Sequence, residues 1–388
     1  MHMLRVLSAG ESHGYCLTAI IGGMPAGLAL QPADINRDLA RRQIGYGRGK
    51  RMEIEQDAAE ITSGVRFGKT LGSPISIIIK NRDWINWQDR MSVEQIDGLV
   101  IAPITNPRPG HADLSGALKF DHHDIRNVLE RASARETTAR VAIGSVCRKL
   151  LNEFGIRVLS YVLEINGIKA KTDGQSLPAL YKKAEASVLR CPCPQAEQKM
   201  IKIIDRARAD GNSLGGVFEV VAEGVPPGLG SYSQWDQRLD GRLAQALMSI
   251  QAIKGVEVGS GFAAARVPGS QVHDELYFAK NKGFYRKTNN AGGIEGGISN
   301  GKNIVLRAAM KPIATLYKPL RSVDIISKKA LKATVERSDI CRVPSAAVIG
   351  EAMVCYEIAL AFLEKFGGDS VRETKRNYTS YLKQIREF

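Results

Sequence analysis

Long apolar runs, aromatic side chains and low-complexity tracts are all scarce in this chain, and each scarcity closes off a class of function. No uninterrupted apolar stretch approaches the roughly eighteen residues a membrane-spanning helix needs. Ile75 to Ile79 has only the length of a short buried strand. Aromatic residues make up 6% of the 388 positions, so the net charge of +14 comes without the stacking side chains that single-stranded nucleic acid favours. Cysteines stand at 16, 147, 191, 193, 341 and 355, and Cys191-Pro192-Cys193 has no second pair at zinc-ligand spacing. Reduced thiols are expected. Met1 to Gly10 lacks the charged start and apolar stretch of a secretory signal, so the expected location is cytoplasmic. No Pro-, Ser- or Gly-rich linker separates domains, although length alone allows two or three.

What the chain does have is a series of glycine-rich islands, most with a histidine, an arginine or an acid beside the glycines. They are Gly10-Glu11-Ser12-His13-Gly14, Arg41 to Arg51, Arg108-Pro109-Gly110-His111-Ala112-Asp113, Arg131 to Thr137, Asn289 to Gly301, Lys311 to Thr315 and Glu336-Arg337-Ser338-Asp339. Glycine lets a backbone approach a ligand and offer bare N–H groups. Arginine offers a permanently charged planar fork for carboxylate and phosphate. Repetition of that combination implies one large polyanion site assembled from distant segments. Arg37 to Arg51 is the densest basic stretch, with six Lys or Arg against Asp38, and fits an RNA-binding arm, a solvated loop or an anion clamp.

Helical patterns run from an Asp124 cap to Phe154, and over Gln195–Asp210, Asp236–Ile250 and Ser345–Phe366. Gly155, Gly211, Gly255 and Gly367 are the expected stops. Strand patterns occupy Leu17–Ile21, Met52–Glu55, Ile75–Ile79, Val158–Ile165, Val217–Ala222 and Ile304–Ala309. Their mixing without a βαβ rhythm predicts an α+β fold, with strands in the core and helices outside.

Three familiar motifs fail on inspection. Gly64-Val65-Arg66-Phe67-Gly68-Lys69-Thr70 is one residue too short for a P-loop. Gly259-Ser260-Gly261 is followed too soon by Pro268-Gly269 for a dinucleotide-binding helix. Asp121-His122-His123-Asp124 sits at a helix start, where aspartate is wanted as a cap rather than as a metal ligand. His13 and His111 are better candidates. Each lies among glycines with an acid nearby, Glu11 or Asp113, suited to proton transfer or anion stabilisation.

The islands at 10–14, 131–137 and 337–339 resemble, in order and spacing, those of the chorismate synthase family. Tyr46-Gly47-Arg48-Gly49, Arg108 to Asp113 and Thr288-Asn289-Asn290 match as well, so the resemblance extends from Leu7 to about Phe366. Gly22 and Ile340 depart from the family pattern, the second beside Asp339. The resemblance implies a single-domain β-α-β sandwich over residues 1–388 and a homotetramer. It implies a carbon–oxygen lyase that makes chorismate from 5-enolpyruvylshikimate-3-phosphate by 1,4-anti elimination. Reduced FMN is required without net redox change. NADPH enters only indirectly, through a separate flavin reductase, and neither nucleic acid nor membrane is a partner.

By the same resemblance, Arg42, Arg48, Arg51 and Arg135 serve the substrate, and His13 with Ser12 serves the departing phosphate. His111 faces the reduced flavin. Asp339 relays the abstracted proton, with flavin N5 as first acceptor. Arg131, Ala132, Ser133, Gln251, Ala252, Gly296, Lys311, Pro312, Ile313, Ala314, Thr315 and Arg337 match flavin-binding segments, joined by Arg42 and Arg48, and Ser133 is also a catalytic candidate. Two carboxylates and two phosphates, each phosphate at roughly −1.5 to −2, explain the demand for so many arginines.

Overall fold

The computed structural model describes residues 4–48, 56–336 and 338–388. Two antiparallel sheets dominate. Strands β1 (Arg5–Ala9), β2 (Cys16–Gly22), β3 (Ala59–Ser63) and β4 (Ile75–Lys80) pair in the order β1-β2-β4-β3. Alternation sets the inner face: Leu17, Ala19 and Ile21 are buried opposite Ile79, Ile77 and Ile75, their register partners. Strands β5 (Arg157–Ile165), β6 (Ile168–Lys169), β7 (Gly216–Glu223), β8 (Ile253–Val258) and β9 (Ile304–Met310) form the second sheet, in the order β8-β9-β7-β5-β6.

Three helices lie between the sheets: α1 (Pro32–Gln43), α2 (Thr137–Asn152) and α3 (Val343–Phe366). The α+β class and the β-α-β sandwich implied by the resemblance stand, while the strands-inside, helices-outside arrangement expected from the pattern is inverted. Helices α2 and α3 touch almost backbone to backbone, since a Cβ added at Gly144 would lie 2.4 Å from Ala352. Helix α3 reaches the second sheet the same way, since a Cβ at Gly350 would lie 2.6 Å from the Phe218 ring on β7. Small residues at these crossings let three layers pack without voids. Helix α3 is buried nearly all round, so it shows little amphipathic bias. It is also long and apolar enough to cross a membrane, contrary to the sequence expectation, but 78% of that apolar window is buried inside the protein.

The helix expected from Asp124 to Phe154 is broken. It runs as Arg126–Ala132, a 3-10 turn at Ala134–Glu136, and then α2. Ser133 adopts an extended backbone (φ −61°, ψ 141°) and its hydroxyl accepts from Arg135 N, which stops the first helix. Asp124 caps the start as expected, accepting from Arg126 N at 2.9 Å. Gly255 lies within β8 and stops no helix; the expected Asp236–Ile250 helix contracts to Leu239–Met248. Gly367, at φ 58°, terminates α3 as expected. The Met52–Glu55 strand lies outside the described residues. All six cysteines are free thiols.

Candidate active site

The islands converge. A cleft of about 460 Å³ is lined by Ser12, His13, Arg42, Arg108, Gly110, His111, residues 132–135, 250–254, 313–315, Lys311, Glu336, Ser338, Asp339 and Arg342, among others. Every island reaches it except Asn289–Gly301, which is pinned elsewhere when Asp274 accepts from the backbone N–H groups of Asn290 and Ala291. None of the three rejected motifs reaches it, and no group of three or more metal-ligating side chains exists among the described residues.

His13 lies in the turn joining β1 to β2. Gly10, at φ 104°, makes that turn possible, since a Cβ there would fall 2.2 Å from the Cys16 carbonyl oxygen. Asn81 then clamps the loop by donating to the carbonyls of Glu11 and Gly14 at 3.1 and 2.6 Å. The acid that meets His13 is not Glu11. It is Glu130, whose carboxylate oxygens lie 2.9 and 3.0 Å from Nδ1. Burial opposes ionisation of Glu130, but hydrogen bonds and charge from His13, with Arg126 nearby, hold its carboxyl below the usual range.

His111 is held by Asp113, as the local spacing suggested, with Nδ1 2.5 Å from Oδ1. Arg108 donates to Asp113 through Nε at 2.8 Å and Nη2 at 3.0 Å, and to Thr315 Oγ1 at 2.9 Å. Burial works against the Asp113 charge, yet the His111 and Arg108 hydrogen bonds prevail and keep its carboxyl far below the usual range. Each histidine thus turns its Nδ1 toward a carboxylate, and Arg108 Nη2 also lies 3.1 Å from His111 Nδ1.

The same region of the fold holds a cluster of arginines around Asp57 and Asp339. Asp57 receives both Arg42 Nη1 at 3.4 Å and Arg135 Nη1 at 2.5 Å, while Asp339 faces Arg342 Nε at 2.9 Å and Arg48 Nε at 3.6 Å. Among the described residues, four guanidiniums meet these two carboxylates. Burial first of all pulls Arg42 down to about 9; Asp57 resists, but Arg342, Arg135 and Arg48 add repulsion. Arg48 is brought to about 10, again chiefly by burial, against the attraction of Asp339. A cluster held against its own repulsion gains free energy when a polyanion enters.

The family model described as Chorismate synthase matches residues 4–363. This chain belongs to the chorismate synthase family. The chorismate synthase of Geobacter sulfurreducens is 58% identical over 393 residues, with both chains covered in full. That of Aquifex aeolicus is 56% identical over 396 residues, again over both full lengths. A crystal structure of chorismate synthase, 47% identical, superimposes with a TM-score of 0.81, covering 100% of this chain and 99% of the other. The chain is accordingly a carbon–oxygen lyase of that family.

Not every residue expected from the resemblance reaches the chorismate synthase cleft. Arg131 spends its guanidinium on the carbonyls of Gly10 and Ser8, each at 2.9 Å. Gly296 turns the small hairpin between Ile294–Glu295 and Ile298–Ser299, away from the cleft, and Pro312 is also absent from the lining. Arg48 sits behind Asp339 rather than in the wall, as a buried side chain and not a surface one. Arg51 and Arg337 lie outside the described residues. Ile340, a departure from the family pattern, is buried, and its N–H donates to Gly47 O at 2.8 Å, which ties the Arg48 loop to Asp339. Gly22, the other departure, has open space where a side chain would stand.

Sequence reasoning missed Glu130, Trp87, Arg126, Asp57, Asn81, Arg108 as a partner of Asp113, and Arg342. Only the last two were within reach, being arginines inside or just beyond recognised islands. The others come from separate stretches of chain and carried no local signal.

Proposed function

We propose that this enzyme eliminates phosphate and a ring proton, 1,4 and anti, from 5-enolpyruvylshikimate-3-phosphate to give chorismate, the final common step of the shikimate pathway to the aromatic amino acids. The observation that carries this reading is the meeting of two carboxylate-held histidines with a self-repelling arginine cluster in one cleft. Breaking the C–O bond sends its electron pair away with phosphate, and the C–H pair becomes the new double bond. Nothing is oxidised overall.

The residues present fit a reduced FMN. Leu129, Met248, Ile250, Ile253 and Met310 give the cleft an apolar side suited to a flat ring. Gln251 Oε1 is buried without a hydrogen-bond partner among the described residues, an acceptor waiting for a ring N–H. Lys254, Lys311 and Thr315 lie in the same wall for a phosphate, with Ala132, Ser133, Ala252, Ile313 and Ala314 beside them. When bound, the reduced flavin supplies an electron-rich ring that eases departure of an anionic leaving group.

Arg42 and Arg135 bind the substrate's anionic groups, together with Arg48 beside Asp339 and Arg51, while Arg337 serves the flavin. Protonated on both ring nitrogens, His13 delivers its Nε2 proton to the departing phosphate and is left with the proton on Nδ1, with Ser12 beside it. His111 faces the reduced flavin and favours its anionic form. Asp339 carries the ring proton onward, its carboxylate kept in place by Arg342. The same reading extends to a single-domain, homotetrameric, cytoplasmic enzyme that depends on reduced flavin from a separate NADPH-consuming reductase. An anaerobic assay with dithionite-reduced FMN and the enolpyruvyl substrate tests it: chorismate should form over many turnovers per flavin. Full-rate turnover with oxidised FMN under air, or none with reduced FMN, overturns it.

A further inference from the structure

We propose that Glu130 is a positioning residue that fixes the proton of neutral His13 on Nδ1, so that Nε2 is the atom offered to substrate. The two residues are 117 positions apart and meet only in the folded chain. Glu130 lies on the helix Arg126–Ala132 and is 2% exposed. Three donors converge on its two oxygens. His13 Nδ1 lies 2.9 Å from Oε1 and 3.0 Å from Oε2, the His13 backbone N–H donates to Oε2 at 2.8 Å, and Arg126 Nη1 donates to Oε1 at 3.0 Å. Its carbonyl also accepts from Ser12 N at 3.0 Å, so one residue holds both members of the Ser12-His13 pair.

The ring plane is fixed by stacking, and turning the ring over to offer the other nitrogen costs its hydrogen bond to Glu130. Trp87 stacks on it with centroids 3.9 Å apart at 24°, and Arg126 covers Trp87 from 4.9 Å, with Arg90 at 5.6 Å. Flipping the imidazole would replace Nδ1–H by a carbon at the carboxylate and leave a buried charge short of a donor. An un-ionised amide cannot do the same work. Gln offers one oxygen where two are used, and its NH2 group would face the backbone N–H or the guanidinium. The dyad therefore sets the tautomer by hydrogen bonding to the nitrogen that does not react.

This inference rests on the reading that His13 serves the departing phosphate, but its test is separable from that reading. Solid-state 15N NMR on histidine-labelled enzyme, with signals assigned through a His13→Gln variant, reports which nitrogen carries the proton. In the wild type, neutral His13 should be protonated at Nδ1, and in Glu130→Gln it should become a mixture of tautomers. Turnover of Glu130→Gln should fall on the order of 10²-fold, with KM within a few-fold of wild type. Nδ1–H in the wild type with loss of order in the variant, but no chorismate from either, supports the positioning role and overturns the proposed reaction instead. Wild-type His13 protonated at Nε2 overturns the inference, even if the variant does not fold. A Glu130→Gln enzyme with unchanged tautomer and turnover overturns it as well.

Discussion

Replacing Glu351 by Gln should destabilise the protein by several kcal/mol, for reasons that lie in a buried ionic network joining the middle layer to the second sheet. Glu351 on α3 is fully buried. It accepts from Arg41 at 2.8 and 2.9 Å, from Arg148 at 2.6 Å, from Arg190 at 3.2 Å and from Ser160 at 2.7 Å. Arg41 and Arg148 also meet Asp38, while Arg41 and Arg190 meet Glu185. Three guanidiniums thus face three carboxylates, and Gln at 351 leaves one positive charge unmatched. Removing one partner of a buried ionic network costs about 3–5 kcal/mol. At roughly 2 cal/mol/K per residue, the unfolding entropy of a 388-residue chain converts this to a Tm loss of about 4–6 °C. Acid supplies an internal control. Burial opposes the Glu351 charge, but Arg41, Arg148 and Arg190 outweigh it and hold its carboxyl far below its ordinary 4.5. A depressed folded value means the contribution is present above about pH 4.5 and fades as pH falls, because the unfolded chain takes up the proton first. The Tm gap between wild type and Glu351→Gln, followed by scanning calorimetry or thermal circular dichroism, should therefore shrink on acidification. An equal or higher Tm for the variant at neutral pH, or a gap that widens in acid, refutes the reasoning.

Further outcomes follow from the same geometry. Gly144→Ala should destabilise by about 1–3 kcal/mol through overpacking against Ala352, read as a lower denaturant midpoint; an unchanged midpoint would mean the helices separate at no cost. Arg48→Ala should weaken substrate binding by roughly ten- to a hundred-fold, because it removes a positive charge that faces Asp339 at the edge of the anion cleft, measured by calorimetric titration. Unchanged affinity with a collapsed Tm makes Arg48 purely structural. Asp339→Asn should lower turnover by roughly 10²–10⁴ with FMN and substrate affinities little altered, and turnover within a few-fold of wild type removes it from the proton path. His13→Ala should chiefly slow phosphate loss and His111→Ala chiefly alter the absorbance of bound reduced flavin across pH; the opposite pattern reverses their roles.

Much of this architecture was legible in the chain because it depends on local pattern. The β-rich runs Leu17–Ile21 and Ile75–Ile79 marked two strands, though not their pairing, and Gly367 marked the end of α3, since turns and pleats are decided by neighbours in sequence. The same holds for His111 and Asp113, two residues apart in one turn. The motifs in their order also carried the family, because each island is a short backbone device that keeps its glycines and arginines together. The layering was not legible in the periodicity, and only the family resemblance implied a sheet–helix–sheet sandwich. A helix apolar all round, such as α3, reads the same whether it is sandwiched between sheets or laid on one, and the small residues Gly144 and Gly350 disclose a crossing only once the partner is known. Nor could sequence show that Ser133 breaks a helical pattern, because the compensating bonds to Asp57 and Asn81 come from Arg135 and distant chain. His13 marks the division most sharply. Its identity and its glycine turn were written locally, but the acid that holds it is Glu130 and not Glu11, since partner choice for a buried charge depends on which groups lose water together when the layers close.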